Sequence, residues 1–296
     1  MKSTTRFLVK TPLFTGLALI AFAANSVLCR LALGGKSIDA SGFTVIRLLS
    51  GALVLLAILK LSGKKNNSAT EGSWSASLVL FIYAATFSFA YMTLDTGTGA
   101  LILFAAVQLT MIIMSLLSGT RLHITEWAGL SLAFLGFVYL ILPGVTTPSI
   151  KGFILMTISG IAWGFYTLKG RGSVNPLKET AHNFSRSIPM IIVLGIITIQ
   201  NIHLSTEGVL LAALSGGIAS GIGYTLWYIA LRGLSVVQAA VVQLLVPIIA
   251  ALGGVIFIAE AITLRLSISA AMILGGILIV VLGRYYFVQL KSPKKT

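Results

Sequence analysis

Few side chains in this sequence can do chemistry, and their placement decides which chemistry is open. The acidic residues are Asp39, Glu71, Asp95, Glu126, Glu179, Glu207 and Glu260. They and the histidines His123, His182 and His203 all fall between long apolar runs or near their ends. General acid–base catalysis needs such groups gathered in one sheltered pocket, and no spacing here does that. The serines lack a deep His or Asp partner that would activate them as nucleophiles. A single cysteine, Cys29, lies inside an apolar run. It rules out an intrachain disulfide and a cysteine metal cluster, and reads as a small buried hydrophobe. The expectation is no catalytic residue, no metal and no cofactor. An ionisable relay at membrane depth, the usual mark of a proton pump, is also missing, which favours a uniporter or exchanger.

The polar groups that do lie deep in apolar runs are Asn25, Arg47, Gln108 and Gln243. An amide in hydrocarbon needs a partner, so Gln108, Gln243 and Asn25 are either glue between helices or donors and acceptors facing a cavity. Arg47 and the shallower Arg186 either snorkel to an interface or bind a carboxylate, and Arg47 has the better claim to the second role. Trp163 and Tyr166 share a helix face, as do Tyr224 and Trp227. Trp163 and Tyr83 are too deep for an interfacial aromatic belt; they pack a core or wall an apolar cavity. The expected substrate site is a central cavity lined by Asn25, Arg47, Tyr83, Gln108, Trp163, Tyr166, Trp227 and Gln243. Pro247 removes a helix hydrogen bond and is expected to kink its run, as a hinge or as a static bend.

The elements that must hold these groups follow from composition. The 296 residues are 57% hydrophobic and 9% charged, with a mean hydropathy of +1.00. A soluble domain carries about 25% charged residues, and a bilayer span needs about 20 apolar ones. Ten such runs occupy nearly the whole chain: 13–33, 41–61, 75–94, 98–118, 127–142, 152–168, 183–201, 208–230, 235–259 and 267–287. The net charge of +14 does not imply nucleic acid, because the basic residues sit in short segments between the runs, not on one face of a domain. Lys2, Arg6, Lys10 and the later Ala21-Phe22-Ala23 have signal-peptide grammar. The run continues past that site to Leu33, so it reads as an uncleaved first helix.

With the N-terminus in the cytoplasm, fifteen Lys and Arg residues fall on the inner side. Only Arg30, Lys36, Lys151 and Arg265 fall outside. This asymmetry places both termini in the cytoplasm. The two halves also repeat. Ala105-Ala106-Val107-Gln108-Leu109 matches Ala240-Val241-Val242-Gln243-Leu244, and Tyr91-Met92-Thr93-Leu94 matches Tyr228-Ile229-Ala230-Leu231. Ile46-Arg47 matches Ser185-Arg186, and Leu135-Gly136 matches Leu274-Gly275, all in one order at separations of 135 to 139 residues. Each repeat, 1–147 and 148–296, holds five helices. An odd number inverts the second copy in the membrane, the architecture of many secondary transporters, whose substrate sites lie near the midplane. The fold class is thus an all-α membrane protein of ten transmembrane helices in two inverted five-helix repeats.

The chain resembles the drug/metabolite transporter superfamily in its ten-helix EamA-type form. The carrying segments are Glu126-Trp127-Ala128-Gly129, Ser235-Val236-Val237-Gln238-Ala239-Ala240, Pro247 and Glu260. The resemblance spans the whole chain, and the motifs are specific through their order across both repeats. One departure is Thr110-Met111-Ile112, which stands where the family often has a proline in helix 4. The resemblance implies a bacterial inner-membrane transporter, often an exporter of amino acids or related metabolites, working by alternating access. Alternatives are a multidrug efflux transporter or, in another class, a membrane-embedded enzyme. The expected partners are a small-molecule substrate and the lipid bilayer, with no nucleic acid, and the expected assembly is a monomer or homodimer.

Overall fold

The computed structural model describes residues 2–62, 72–119, 123–142, 147–234, 239 and 242–284. The first half supplies α1 (Lys2–Gly34), α2 (Ala40–Leu61), α3 (Trp74–Tyr91), α4 (Thr96–Leu117) and α5 (Ile124–Ile141). The second supplies α6 (Ile150–Gly170), α7 (Pro176–Arg186), α8 (Ile188–Ile197), α9 (Thr206–Leu214), a π-helical segment (Ser215–Ile222), α10 (Gly223–Leu231), α11 (Leu245–Ile258) and α12 (Leu264–Arg284). Among the described residues, eight helices are long and apolar enough to cross a bilayer, with α9, the π segment and α10 counted as one of them. The broken pair α7–α8 and the shorter apolar α11 bring the passages to ten. Two inverted five-helix repeats result.

The helices begin where a polar side chain takes over an unpaired backbone amide. The Gly42 N–H donates to Asp39 Oδ2 at 2.8 Å, the Ala76 N–H to Ser73 Oγ at 3.1 Å, and the Gly208 N–H to Ser205 Oγ at 3.1 Å. At α5 the N–H of His123 donates to Glu126 Oε2 at 2.6 Å, completing a capping box. The Glu126-Trp127-Ala128-Gly129 motif is therefore architectural in part. Its glutamate caps α5, and its glycine lets α5 lie against α12.

That contact ties the repeats together. A Cβ on Gly129 would meet the Gly276 carbonyl oxygen at 2.5 Å, and a Cβ on Gly276 would meet the Gly129 carbonyl oxygen at 2.5 Å. A second close approach joins Gly136 to Met272 and Ile273. Helices in lipid associate through such close packing, since the surrounding tails are as apolar as the side chains. Trp127, Phe134 and Leu135 on α5 stay exposed where lipid would lie.

Two passages are interrupted where the sequence reads one continuous run. The seventh passage starts at Pro176, not at 183, and is interrupted at Ser187, two residues before Pro189. Polar residues in α7 hid its start, and the apolar run of α8 masked the break. In the ninth passage residues 239, 242 and 243 are helical, the chain turns at Leu244, and α11 resumes at Leu245 with Pro247 in its first turn. Residues 235–238, 240 and 241 of that expected span lie outside the described residues. A proline at 247 has no N–H for the carbonyl of Gln243, and the chain turns at Leu244. The bend expected of Pro247 thus falls beside Gln243.

Candidate functional site

Arg47 is the residue around which the other deep polar groups are arranged. It lies two turns into α2 and is 1% exposed. Its Nε donates to Ser220 Oγ at 3.1 Å. Its Nη2 donates to the hydroxyl of Tyr83 on α3 at 2.9 Å and to that of Tyr224 on α10 at 3.0 Å. The guanidinium also lies against the rings of Phe87, at 4.7 Å, and Tyr83, at 5.1 Å. Its Nη1 has no hydrogen-bond partner. Among the described residues the ion pairs belong to Arg30, and none reaches Arg47. The result is a buried cation held by hydroxyls and ring faces, with one donor left open.

Asn25 on α1 binds the same cluster. Its Nδ2 donates to Ser220 Oγ at 3.0 Å and its Oδ1 accepts from Ser215. Ser215 and Ser220 are five residues apart. In an α-helix that spacing puts two side chains about 140° apart, too far for one asparagine to hold both. The π segment, with its i→i+5 bonding, brings them onto one side. Gly216 makes the approach possible: a Cβ there would fall on the Arg47 carbonyl oxygen.

Beside this cluster stands a group of rings. Trp163 on α6 lies 4.5 Å from Tyr224, 4.9 Å from Tyr83 and 5.5 Å from Tyr166 between centroids. Phe22 on α1 bridges Trp163, at 5.8 Å, to Trp227, at 5.6 Å. Gln108 Nε2 on α4 donates to Gln243 Oε1 across the repeats at 3.2 Å. All eight residues expected at the site are thus buried. They form two groups, the Arg47 cluster with its rings and the glutamine pair. Tyr224, Ser215 and Ser220 were not among the expected residues. Ser220 lies in Gly217-Ile218-Ala219-Ser220-Gly221, a pattern that reads as helix packing.

Open space is found at the end of the bundle that carries the N-terminus. One cavity of about 350 Å³ is lined by Ser73, Tyr166, Lys169, Glu179, Asn183 and Tyr228, among others. A second, of about 270 Å³, reaches Trp227 and Gln243. The opposite end is tied shut. Arg30 on α1 donates from Nε to Glu260 Oε1 at 2.9 Å, from Nη2 to Asp95 Oδ1 at 3.2 Å, and from Nη1 to the Tyr91 carbonyl at 3.3 Å. Glu260 also accepts the N–H of Thr96 at 2.8 Å. Ala259, at φ 57°, turns the chain so that Glu260 points back into this knot. Asp95 is the outer member. Partial burial and the nearby charge of Glu260 raise its carboxyl above the ordinary value, against the pull of Arg30. A cleft of about 240 Å³ borders the knot at Asp95, Glu260 and Thr263.

Comparison with known proteins agrees with this architecture. The model of the EamA-like transporter family matches residues 10–142 and again 150–282. An uncharacterized protein of Pseudomonas aeruginosa is 46% identical over 275 residues, covering 93% of this chain and 96% of that protein. An uncharacterized inner membrane transporter of Escherichia coli K12, YedA, is 24% identical over 294 residues, covering 95% and 94%. One solved crystal structure superposes with a TM-score of 0.63 at 20% identity, over 90% of this chain and 98% of the other, a likeness of fold. A multi-pass membrane protein whose two halves each match one family model is a transporter by kinship as well as by architecture, and the chain belongs to the EamA-like transporter family.

Proposed function

We propose that this transporter resides in the inner membrane with both termini in the cytoplasm. It exports small carboxylate-bearing metabolites such as amino acids by alternating access between halves 1–147 and 148–296. The observation that carries the substrate class is Arg47, a buried guanidinium with no carboxylate partner among the described residues and an unpaired Nη1. An isolated buried charge is costly, and a substrate carboxylate would neutralise it and accept its open donor. The ring wall of Trp163, Tyr83 and Tyr166 would receive an apolar side chain. Tyr83, Tyr224 and Ser220 hold the guanidinium in place, and Asn25 bonds Ser220. With the Arg30–Glu260 knot closed and cavities open at the N-terminal end, the geometry fits a state loaded from the cytoplasm. The neighbourhood of Arg47 disfavours the cationic drugs that a multidrug exporter would carry. Reconstituted liposomes test the proposal. Arg47→Lys keeps the charge and loses the two-pronged geometry. It is expected to reduce uptake of leucine and phenylalanine by about tenfold or more at unchanged protein yield. Wild-type uptake in Arg47→Lys would remove Arg47 from the site.

A further inference from the structure

The knot around Arg30 contains a helix start that is not served by its own cap residue. Asp95 is the N-cap residue of α4, with extended backbone angles of φ −70° and ψ 157°. Asp39 holds nearly the same angles, −78° and 158°, before α2, and its side chain accepts the Gly42 N–H at 2.8 Å. Asp95 makes no such bond. Its Oδ1 turns instead to Arg30 Nη2, at 3.2 Å. Glu260, in the chain that follows α11, stands in at α4. Its Oε2 accepts the Thr96 N–H at 2.8 Å, while its Oε1 accepts from Arg30 Nε at 2.9 Å. The exposed amides and positive dipole end of a helix start call for such an acceptor. Here a carboxylate remote in sequence supplies it, and the aspartate placed to do so is engaged elsewhere.

These bonds fall on two sides of a seam. Arg30 and Glu260 sit on α1 and at the end of α11, two helices packed together where a Cβ on Gly253 would meet Val27 Cγ2 at 2.7 Å. Asp95 and Thr96 belong to the turn between α3 and α4. Gly97 of α4 and Gly254 of α11 let the sides close, since a Cβ on the first would meet Ala251 Cβ at 2.8 Å and one on the second Thr96 Cβ at 3.0 Å. Parting the seam keeps Arg30 with Glu260 and takes the acceptor away from α4. Asp95, 60% exposed, has room to turn. Its charge adds little to the shut state, because partial burial and the charge of Glu260 raise its carboxyl against the pull of Arg30. We propose that Asp95 and Glu260 exchange the cap of α4 as an outer gate works. With the gate shut, Glu260 caps α4 and Asp95 holds Arg30; with it open, Asp95 turns back to cap α4 itself. Neither state then leaves a bare charge or a bare helix end. The inference rests on the alternating-access reading and names the residues that set its outer gate.

The chain carries its own reporter. Cys29, its single cysteine, is fully buried one residue before Arg30, against Ser88 of α3, so an opening between α1 and α3 exposes it. The test is the rate at which a membrane-impermeant methanethiosulfonate labels Cys29 in right-side-out membrane vesicles. Cys29→Ala gives the background, and carboxylate uptake is measured in parallel in liposomes. Glu260→Gln weakens the shut state and is expected to label faster than the wild type. Asparagine and serine cap helices as aspartate does but cannot form the ion pair with Arg30; alanine does neither. Asp95→Asn and Asp95→Ser are therefore expected to label near the wild-type rate, and Asp95→Ala about fivefold more slowly. Asp95→Ala labelling as fast as Asp95→Asn and Asp95→Ser, or faster, overturns the exchange, because a mere partner of Arg30 is lost equally in all three. Labelling of Glu260→Gln no higher than the background overturns the gate itself. If the labelling order holds and liposomes show no uptake of any carboxylate, the exchange stands and the substrate proposal falls. Uptake with equal labelling leaves transport standing without the exchange.

Discussion

Arg47 shares a single nitrogen, Nη2, between the hydroxyls of Tyr83 and Tyr224, and those hydroxyls bond each other at 3.1 Å. Removing one leaves the other in place, so Tyr83→Phe and Tyr224→Phe should each be mild. The double change strips Nη2 of both acceptors. It should cost more than the sum of the two, about 1.5–3 kcal/mol for a charged donor left bare, read as a loss of stability of the unliganded protein. The knot at the other end divides differently. Glu260 is 13% exposed and bonded to both Arg30 and Thr96, whereas Asp95 is 60% exposed. Since the folded protein raises the Asp95 carboxyl, its ionised form costs stability at neutral pH and its protonation as pH falls relieves that cost. Asp95→Asn should therefore leave melting temperature at pH 7 unchanged or slightly higher, while Glu260→Gln lowers it; equal losses in both would contradict this division. Arg47 was legible in the sequence because a charge within an apolar run is conspicuous. Ser220 and Tyr224 were not, since serine and tyrosine are ordinary in such runs and only the contact with Arg47 gives them a role.

The irregular elements gather in the second half. α7 and α8 part at Ser187, the eighth passage holds the π segment, and α11 starts after a turn at Leu244 beside Pro247. Their counterparts α2, α3 and α4 run 22, 18 and 22 residues without a break. Helices with displaced or missing hydrogen bonds deform at lower cost, so amide exchange in detergent should be faster in 187–190, 215–222 and 242–245 than at the centres of α2, α3 and α4. Equal protection would argue against an uneven division of motion. The π segment has its own test. Gly216→Ala drives a methyl into the backbone of α2, which cannot yield, whereas Gly217→Ala meets a Val54 methyl at 2.9 Å. The first should cost about 2 kcal/mol or more and the second clearly less, seen in melting temperature and purified yield. Periodicity revealed the ten passages, because length and apolar content mark a span. It could not reveal the π segment, because a one-residue slip in hydrogen bonding leaves composition unchanged. The glycines at 216, 217 and 221 are its trace in the sequence, and they also fit ordinary close packing.

For the whole molecule, the distribution of lysine and arginine predicts that a reporter fused after Lys295 is active only in its cytoplasmic form; periplasmic activity would reverse the assigned sidedness. The seam between α5 and α12 has a consequence for how the protein is put together. Each repeat keeps its last helix for the other, and Gly129 and Gly276 fit backbone to backbone through an exchange that no third element mediates. Two polypeptides that carry such complementary edges can find each other without a covalent tether. Cutting the gene within codons 143–146 and producing the halves as separate chains, each started so as to keep its own sidedness, should yield a complex that copurifies. Gly129→Leu in one fragment should abolish that complementation. Success would mean that the covalent link between the halves supplies local concentration and nothing more, and that an ancestor made of two separate subunits had the means to assemble before its genes were joined.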